Sequence, residues 1–268
     1  MKLTLFFILS LVIVLLTSYY QRVTGPTYEK IIETTINNID YSFTLPRSHE
    51  LKDPCVIQLE IADTSVAAIV HYKRYPTNDD FTLVQFSRKG AFLSVSLPDQ
   101  PAAGKLAYFI ELVTPQGSVF IEKEQPTLIR FKGAVPIYIL LTHIFFMFIG
   151  MWLSNLTGIL EIANHHKQMF FAVLTLIFLV LGGMVFGPIV QKFAFNEYWA
   201  GIPFGWDLTD NKTLIAVVAW LIALAANWKQ KRRGWYIAAA IITFAIFIIP
   251  HSLMGSEFDY QAGEVTTG

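Results

Sequence analysis

Pro203-Phe-Gly-Trp-Asp-Leu-Thr-Asp-Asn-Lys212 sets aromatic, glycine, acidic and basic residues into a short gap between two strongly apolar segments, Phe170–Val190 and Thr213–Trp228. An apolar run of roughly 20 residues suffices to cross the hydrocarbon of a bilayer. Both flanks therefore read as membrane helices, and the polar stretch reads as a connection at the membrane surface. Three further apolar segments lie outward from it: Leu3–Leu16, Ala134–Leu153 and Trp235–Ile249. Between the first two, Tyr20–Lys132 has ordinary soluble composition, so the 54% of hydrophobic residues is concentrated rather than spread. The pattern predicts a mixed fold: an N-terminal signal anchor, an antiparallel β-sandwich outside the cytoplasm, and a four-helix transmembrane bundle.

At the N-terminus, Met1-Lys2 precedes Leu3–Leu16 and then Thr17-Ser18-Tyr19-Tyr20. No small-x-small cleavage site follows, which favours an uncleaved signal anchor over residues 1–19 above a removed signal peptide. Either outcome exports the next segment. Residues 20–132 form the predicted sandwich. Ala91, Leu93, Val95 and Leu97 share one face of a strand, as do Leu106, Tyr108, Ile110 and Leu112, and Ile57, Leu59 and Ile61 repeat the alternation. Turn signals at Tyr75–Asp79, Arg88–Gly90, Pro98–Gly104 and Pro115–Gly117 separate these runs. Short alternating strands at such spacing suggest an immunoglobulin- or fibronectin type III-like module.

Residues 133–268 form the predicted bundle, with helices at about 134–154, 169–190, 212–228 and 234–250. Only Lys132–Pro136 separates the last strand from the first of them, which predicts a sandwich held close to the bilayer. The loop Lys229-Gln-Lys-Arg-Arg233 is the densest positive cluster, and short basic loops stay cytoplasmic. Lys2 and His165-His166-Lys167 then fall on the same side, while the β-domain, the 191–212 loop and the C-terminus lie outside. Tyr198, Trp199 and Trp206 would mark the outer interface, and Trp152, Trp228 and Trp235 the inner one. Gly183 with Gly187, the row Ala216, Ala219, Ala223 and Ala226, and Ala238–Ala240 supply small residues for close helix packing.

Zero net charge provides no basic field for nucleic acid. Cys55 is the sole cysteine, which removes intrachain disulfides and cysteine-based metal cages. No phosphate-binding glycine loop, nucleophile elbow or HExxH is present.

Arg22–Thr27, Pro98–Leu106, Gly187–Lys192, Phe204–Lys212 and Ile249–Tyr260 together resemble an uncharacterised family of bacterial multi-pass membrane proteins with an exported β-domain. That resemblance spans nearly the whole chain and implies a bacterial inner (plasma) membrane location. It carries no assigned activity, ligand or catalytic residue.

Two places hold candidate chemistry. Asp207 and Asp210, with Asn211 and Lys212, precede one helix, and His251, Glu257 and Asp259 follow another. Carboxylates with a histidine suit a divalent cation, but Asp207-Leu-Thr-Asp210 better suits an N-cap with a second acid in the first turn, which needs only local geometry. The 203–212 loop and the 251–260 tail are expected to form one ordered cap, with Asp210 and His251 coupled. Inside the bundle, His143, Trp220 and Thr243 fall at similar depth. A neutral His143 bonded to Thr243 is the structural reading, and haem or quinone binding is the cofactor reading, although no second histidine lies at matching depth. His49, His71, His165 and His166 read as surface residues. The sequence as a whole favours a non-enzymatic interaction or complex-assembly protein, needing no cofactor, with the lipid bilayer and another membrane or envelope protein as partners and no nucleic acid. The alternative is a small redox or transport subunit handling haem, quinone, protons or a cation.

Overall fold

The computed structural model describes residues 3–251, 253 and 255–266. Two compact units divide the chain: a helical unit made by the residues through Pro26 and by Val135–Ser256, and a sheet unit made by Thr27–Ala134 and Glu257–Thr266.

In the helical unit, α1 spans Leu3–Val23, α2 Ile137–Ile162 and α3 Gln168–Leu179. A π-helical segment, Val180–Phe186, continues α3 into α4, Gly187–Phe195; α5 is Leu208–Asn227 and α6 is Gly234–Ile248. Among the described residues, four helices are long and apolar enough to cross a membrane: Leu3–Val23, Ile137–Ile162, the continuous Gln168–Phe195 and Leu208–Asn227. The fifth apolar segment is shorter than the sequence suggested. At about 1.5 Å per residue, α6 spans about 22 Å, less than the roughly 30 Å of hydrocarbon. It stops because Ile249 turns extended ahead of Pro250, the conformation that a following proline imposes. Helix α2 runs well beyond residue 154, to Ile162, because Ser154, Thr157 and Glu161 lie on its buried face, where they lower the local hydropathy without ending the helix.

The π-helical segment has a local cause. Pro188 has no N–H to donate, and its ring crowds the carbonyl four residues back. The helix widens immediately before it, so that the Gly187 N–H reaches the Gly182 carbonyl at π spacing. Two glycines make the widened turns packable. A Cβ on Gly182 would lie 2.8 Å from the Met147 backbone nitrogen, and one on Gly183 would overlap the Thr213 methyl group. Met147 and the α5 residues Ala216, Val217, Trp220 and Ala223 belong to the same buried cluster as Tyr236, Ala239, Ala240 and Phe247 of α6.

The sheet unit opens with the hairpin β1 (Lys30–Ile36) and β2 (Ile39–Leu45). Asn37 and Asn38 take φ of 49° and 63° between them, the left-handed pair that a two-residue hairpin turn requires. A six-stranded sheet follows in the order β3 (Ser48–Glu50), β11 (Thr127–Lys132), β9 (Lys105–Thr114), β5 (Ala67–Tyr75) and β6 (Thr82–Gln85), with β10 (Gly117–Ile121) also paired to β9. A three-stranded sheet orders β4 (Cys55–Glu60), β8 (Phe92–Leu97) and β7 (Ser87–Lys89). The hairpin β12 (Glu257–Asp259) and β13 (Glu264–Thr266) completes the unit. Pairing is antiparallel except where β3 lies parallel to β11. Register follows the alternation: Ile57 faces Val95, Leu59 faces Leu93, and Val70 faces Ile110. Leu45, Ile57, Leu59, Val70, Leu93, Leu106, Ile110 and Phe131 from these strands share one buried core.

The glycine packing yields a paired test. Gly183→Ala should destabilise the detergent-solubilised protein by about 1–3 kcal/mol through overpacking, and Thr213→Ser, which removes the clashing methyl, should restore part of the loss. Gly182→Ala meets Met147 backbone and should gain nothing from Thr213→Ser. Thermal unfolding of the four variants reads both outcomes, and equal rescue would refute the assigned contact.

Candidate functional site

Helix α5 begins at an Asp207 N-cap, whose Oδ1 accepts the Thr209 N–H at 2.8 Å and the Asp210 N–H at 3.4 Å. Its other oxygen accepts the Ser256 N–H at 2.8 Å and the Ser256 hydroxyl at 3.0 Å. One carboxylate thus starts the helix and holds the chain after α6. Asp210 accepts the Ala200 N–H at 2.6 Å, and Asn211 Oδ1 accepts the Ile202 N–H at 2.8 Å. Gly201 fits beneath them because a Cβ there would approach Asn211 Oδ1 and Asp210 Cβ to 2.8 Å. Both acids are buried, in keeping with the positive end of a helix dipole.

Lys212 answers the opposite need. The residue is 1% exposed, and its ammonium donates to the Ile249 carbonyl at 2.8 Å and the Pro250 carbonyl at 3.3 Å. Gln21 of α1 donates to the Phe247 carbonyl at 2.6 Å and to Ile249 at 3.1 Å. The carbonyls stranded where α6 ends are therefore met by a cation from α5 and an amide from α1.

The expected metal set does not assemble. Among the described residues, no group of three or more histidine, cysteine, aspartate or glutamate side chains could hold a metal ion. Asp207 and Asp210 are filled by backbone and side-chain donors other than His251, which sits in the turn after Pro250. Glu257 pairs with Lys105, and Asp259 accepts the Gln261 and Ala262 N–H groups of its own hairpin turn, both within the sheet unit. The expected single cap over residues 251–260 accordingly reduces, in the helical unit, to the Asp207–Ser256 attachment.

His143 takes a different partner from the bonded pair Trp220 and Thr243. His143 Nδ1 lies 2.9 Å from the Gly182 carbonyl of the π-helical segment. Trp220 donates to the Thr243 hydroxyl at 2.9 Å, and that hydroxyl donates back to Ala239. The expected His143–Thr243 bond is replaced because the widened helix turns bring a carbonyl to the histidine.

A site in the sheet unit escaped the sequence reading. A cleft of about 1060 Å³ is lined by Lys73–Asp79 and Phe81, by Ala107, Gln125, Pro126 and Leu128, and by the β12–β13 hairpin from Glu257 to Gln261 with Thr266. Arg74 lies 5.3 Å over the Tyr260 ring and bonds Asp79 at 2.7 Å, while Lys73 lies 5.1 Å over Phe81. Tyr260 anchors the hairpin by accepting the Lys105 N–H at 3.1 Å and donating to Gln100 at 3.0 Å. The density of aromatic and amide residues at Tyr75–Phe81 and Phe258–Gln261 was the available signal, but nothing in the sequence joined the two stretches.

On the same β-sheet, His71 is partly buried rather than a free surface residue: it stacks on Phe109 at 4.4 Å and bonds Glu111 at 2.9 Å, and Glu111 also accepts the Ser118 hydroxyl at 2.7 Å. The Ser118 hydroxyl, followed by His71, holds the Glu111 carboxyl below its usual range. Burial, aided by the Asp99 charge, pushes the Cys55 thiol up to about 11, so it stays protonated at neutral pH and is a poor nucleophile.

In comparison with known proteins, no family model matches the chain and no curated protein matches it.

Two outcomes test this geometry. Gln21→Ala and Lys212→Met should each lower stability by about 1–3 kcal/mol, and their effects should be non-additive because both donors serve the Ile249 carbonyl; additive losses in a double-mutant cycle of thermal unfolding would separate them. Glu111, Asp63 (through Ser65 and Asn37) and Asp79 (through Arg74) all have lowered folded values. Their stabilisation is present above the unfolded carboxylate range and is lost as pH falls through the lower folded values. Hydrogen exchange at β9 amides should therefore accelerate as pH drops below about 4, after correction for intrinsic exchange rates, and Ser118→Ala should weaken that dependence.

Proposed function

We propose that this chain is an integral membrane protein without enzymatic activity, whose β-module, an immunoglobulin- or fibronectin-like sandwich, presents a binding cleft to a second membrane or envelope protein. In this reading α1 is a retained signal anchor in a bacterial inner membrane, and the β-module and C-terminus lie outside the cytoplasm. The proposed family resemblance is consistent with that placement. The observation that carries the reading is the open cleft of about 1060 Å³ lined by Tyr75, Phe81, Phe258 and Tyr260 together with Asn78, Gln125 and Gln261. Aromatic rings offer contact area at small entropic cost, and side-chain amides pair with a partner's backbone. Its charged groups are largely matched internally, Arg74 with Asp79 and Glu257 with Lys105, so the cleft suits a polypeptide segment better than a highly charged small ligand.

Photo-crosslinking residues placed at Asn78 and Gln261 should capture the same discrete protein in intact cells, and one placed at exposed Lys52 should not. Tyr75→Ala with Phe258→Ala should abolish the cleft-specific product while leaving membrane insertion intact. An identical crosslinking pattern from Lys52, or capture that survives the double substitution, would overturn the assignment.

A further inference from the structure

The turn between α5 and α6 carries four cations, Lys229, Lys231, Arg232 and Arg233, and they divide into two pairs. Arg233 forms an ion pair with Glu161 of α2 at 3.3 Å, and Lys231 donates to Asn164 at 3.4 Å. Lys229 and Arg232 are exposed, and among the described residues neither pairs with a carboxylate. Instead both line a cleft of about 600 Å³ together with Ala225, Ala226, Trp228 and Gln230.

The turn that shapes this cleft is fixed. Asn227, only 8% exposed, donates to the Ala223 carbonyl at 2.8 Å and accepts the Arg232 N–H at 2.7 Å, so one side chain closes the end of α5 and positions the first residues beyond it. Below the cleft, Val218, Leu221 and Ile222 are exposed on α5. Residues 218, 222 and 225 follow helical spacing of four and three, so an apolar strip runs along α5 toward its end, beyond which Lys229 lines the same cleft as Ala225. Trp228, 74% exposed beside that end, has the amphipathic ring favoured at a bilayer interface.

We propose that this cleft is a binding site for an anionic phospholipid, with the phosphate held by Lys229 and Arg232, the interfacial region against Trp228, and an acyl chain along Val218, Ile222 and Ala225. Two observations select this occupant. Unmatched positive charge requires an anion, and the apolar strip leading directly from it requires that the anion carry a hydrocarbon chain. A free phosphate would use only the first feature and a zwitterionic lipid only the second. The proposal rests on membrane embedding of α5 and is independent of the cleft in the sheet unit.

The test uses the full-length protein in neutral detergent, titrated with short-chain phosphatidylglycerol, the matched phosphatidylcholine and inorganic phosphate, with bound ligand read by native mass spectrometry. Phosphatidylglycerol should bind on the order of tenfold more tightly than phosphatidylcholine, and the preference should shrink as salt is raised, because the exposed charges are screened. Lys229→Gln with Arg232→Gln should remove the preference, whereas Lys52→Gln with Lys89→Gln should preserve it. Equal binding of the two lipids by the wild-type protein, salt-insensitive preference, or phosphate binding as tight as that of phosphatidylglycerol would overturn the proposal. The wild-type salt series decides the matter even if the double variant fails to fold.

Discussion

A helix that stops in a low-dielectric setting leaves carbonyls without partners, and the helical unit is arranged around that constraint at the end of α6. Pro250 forces the stop, since the residue before it cannot stay helical. The freed carbonyls of Phe247, Ile249 and Pro250 then need donors, because unsatisfied backbone groups are costly away from water. Lys212 and Gln21 supply them from two different helices. This choice of donors has a consequence for α5. Lys212 lies just beyond its first turn, still near the N-terminal end where a cation is disfavoured by the helix dipole, and Asp207 at the N-cap and Asp210 in the first turn offset that charge. The polar stretch between the apolar segments is thus a set of mutually dependent answers to one broken helix.

The helical architecture was legible because apolar length is a strong signal, whereas its limits were legible only in part. Pro250 marked the end of α6, and the helix stops two residues before it because the residue preceding a proline turns extended. Ser154, Thr157 and Glu161 extended α2 because their polarity is turned inward, where a hydropathy profile counts it as an ending. In the sheet unit, alternation at Ile57–Ile61 and Leu106–Leu112 correctly marked β4 and β9. Alternation cannot give partner order, and the parallel β3–β11 pair depends on contacts distant in sequence. The Asn37-Asn38 hairpin had a readable local cause, two residues tolerant of positive φ, outside the strands that the alternation selected.

Candidate chemistry followed the same division. Capping by Asp207 was readable because it needs only its own next three residues. Its second partner, Ser256, lies beyond two helices and was not. Matching His143 with Thr243 by depth assumed ideal helices, and the π-helical turns before Pro188 broke that assumption by presenting the Gly182 carbonyl instead. The cleft in the sheet unit draws on residues 73–81, 125–128 and 257–266, stretches that only the fold brings together.

The polar side chains at the start of α5 and those of the sheet-unit cleft are used in opposite ways. In the helical unit, Asp207, Asp210, Asn211, Lys212, Trp220 and Thr243 each have a partner within the unit, and a substitution at any of them strands another group. Such residues constrain architecture and leave little capacity for a ligand. In the sheet unit, Asn78, Gln125 and Gln261 line an open cleft whose charged neighbours are already paired, so their amides can meet an outside group without disturbing the core formed by Leu59, Val70 and Ile110. Substitutions at the cleft can leave the buried strands and their register unchanged, and the binding role proposed for the cleft depends on that separation.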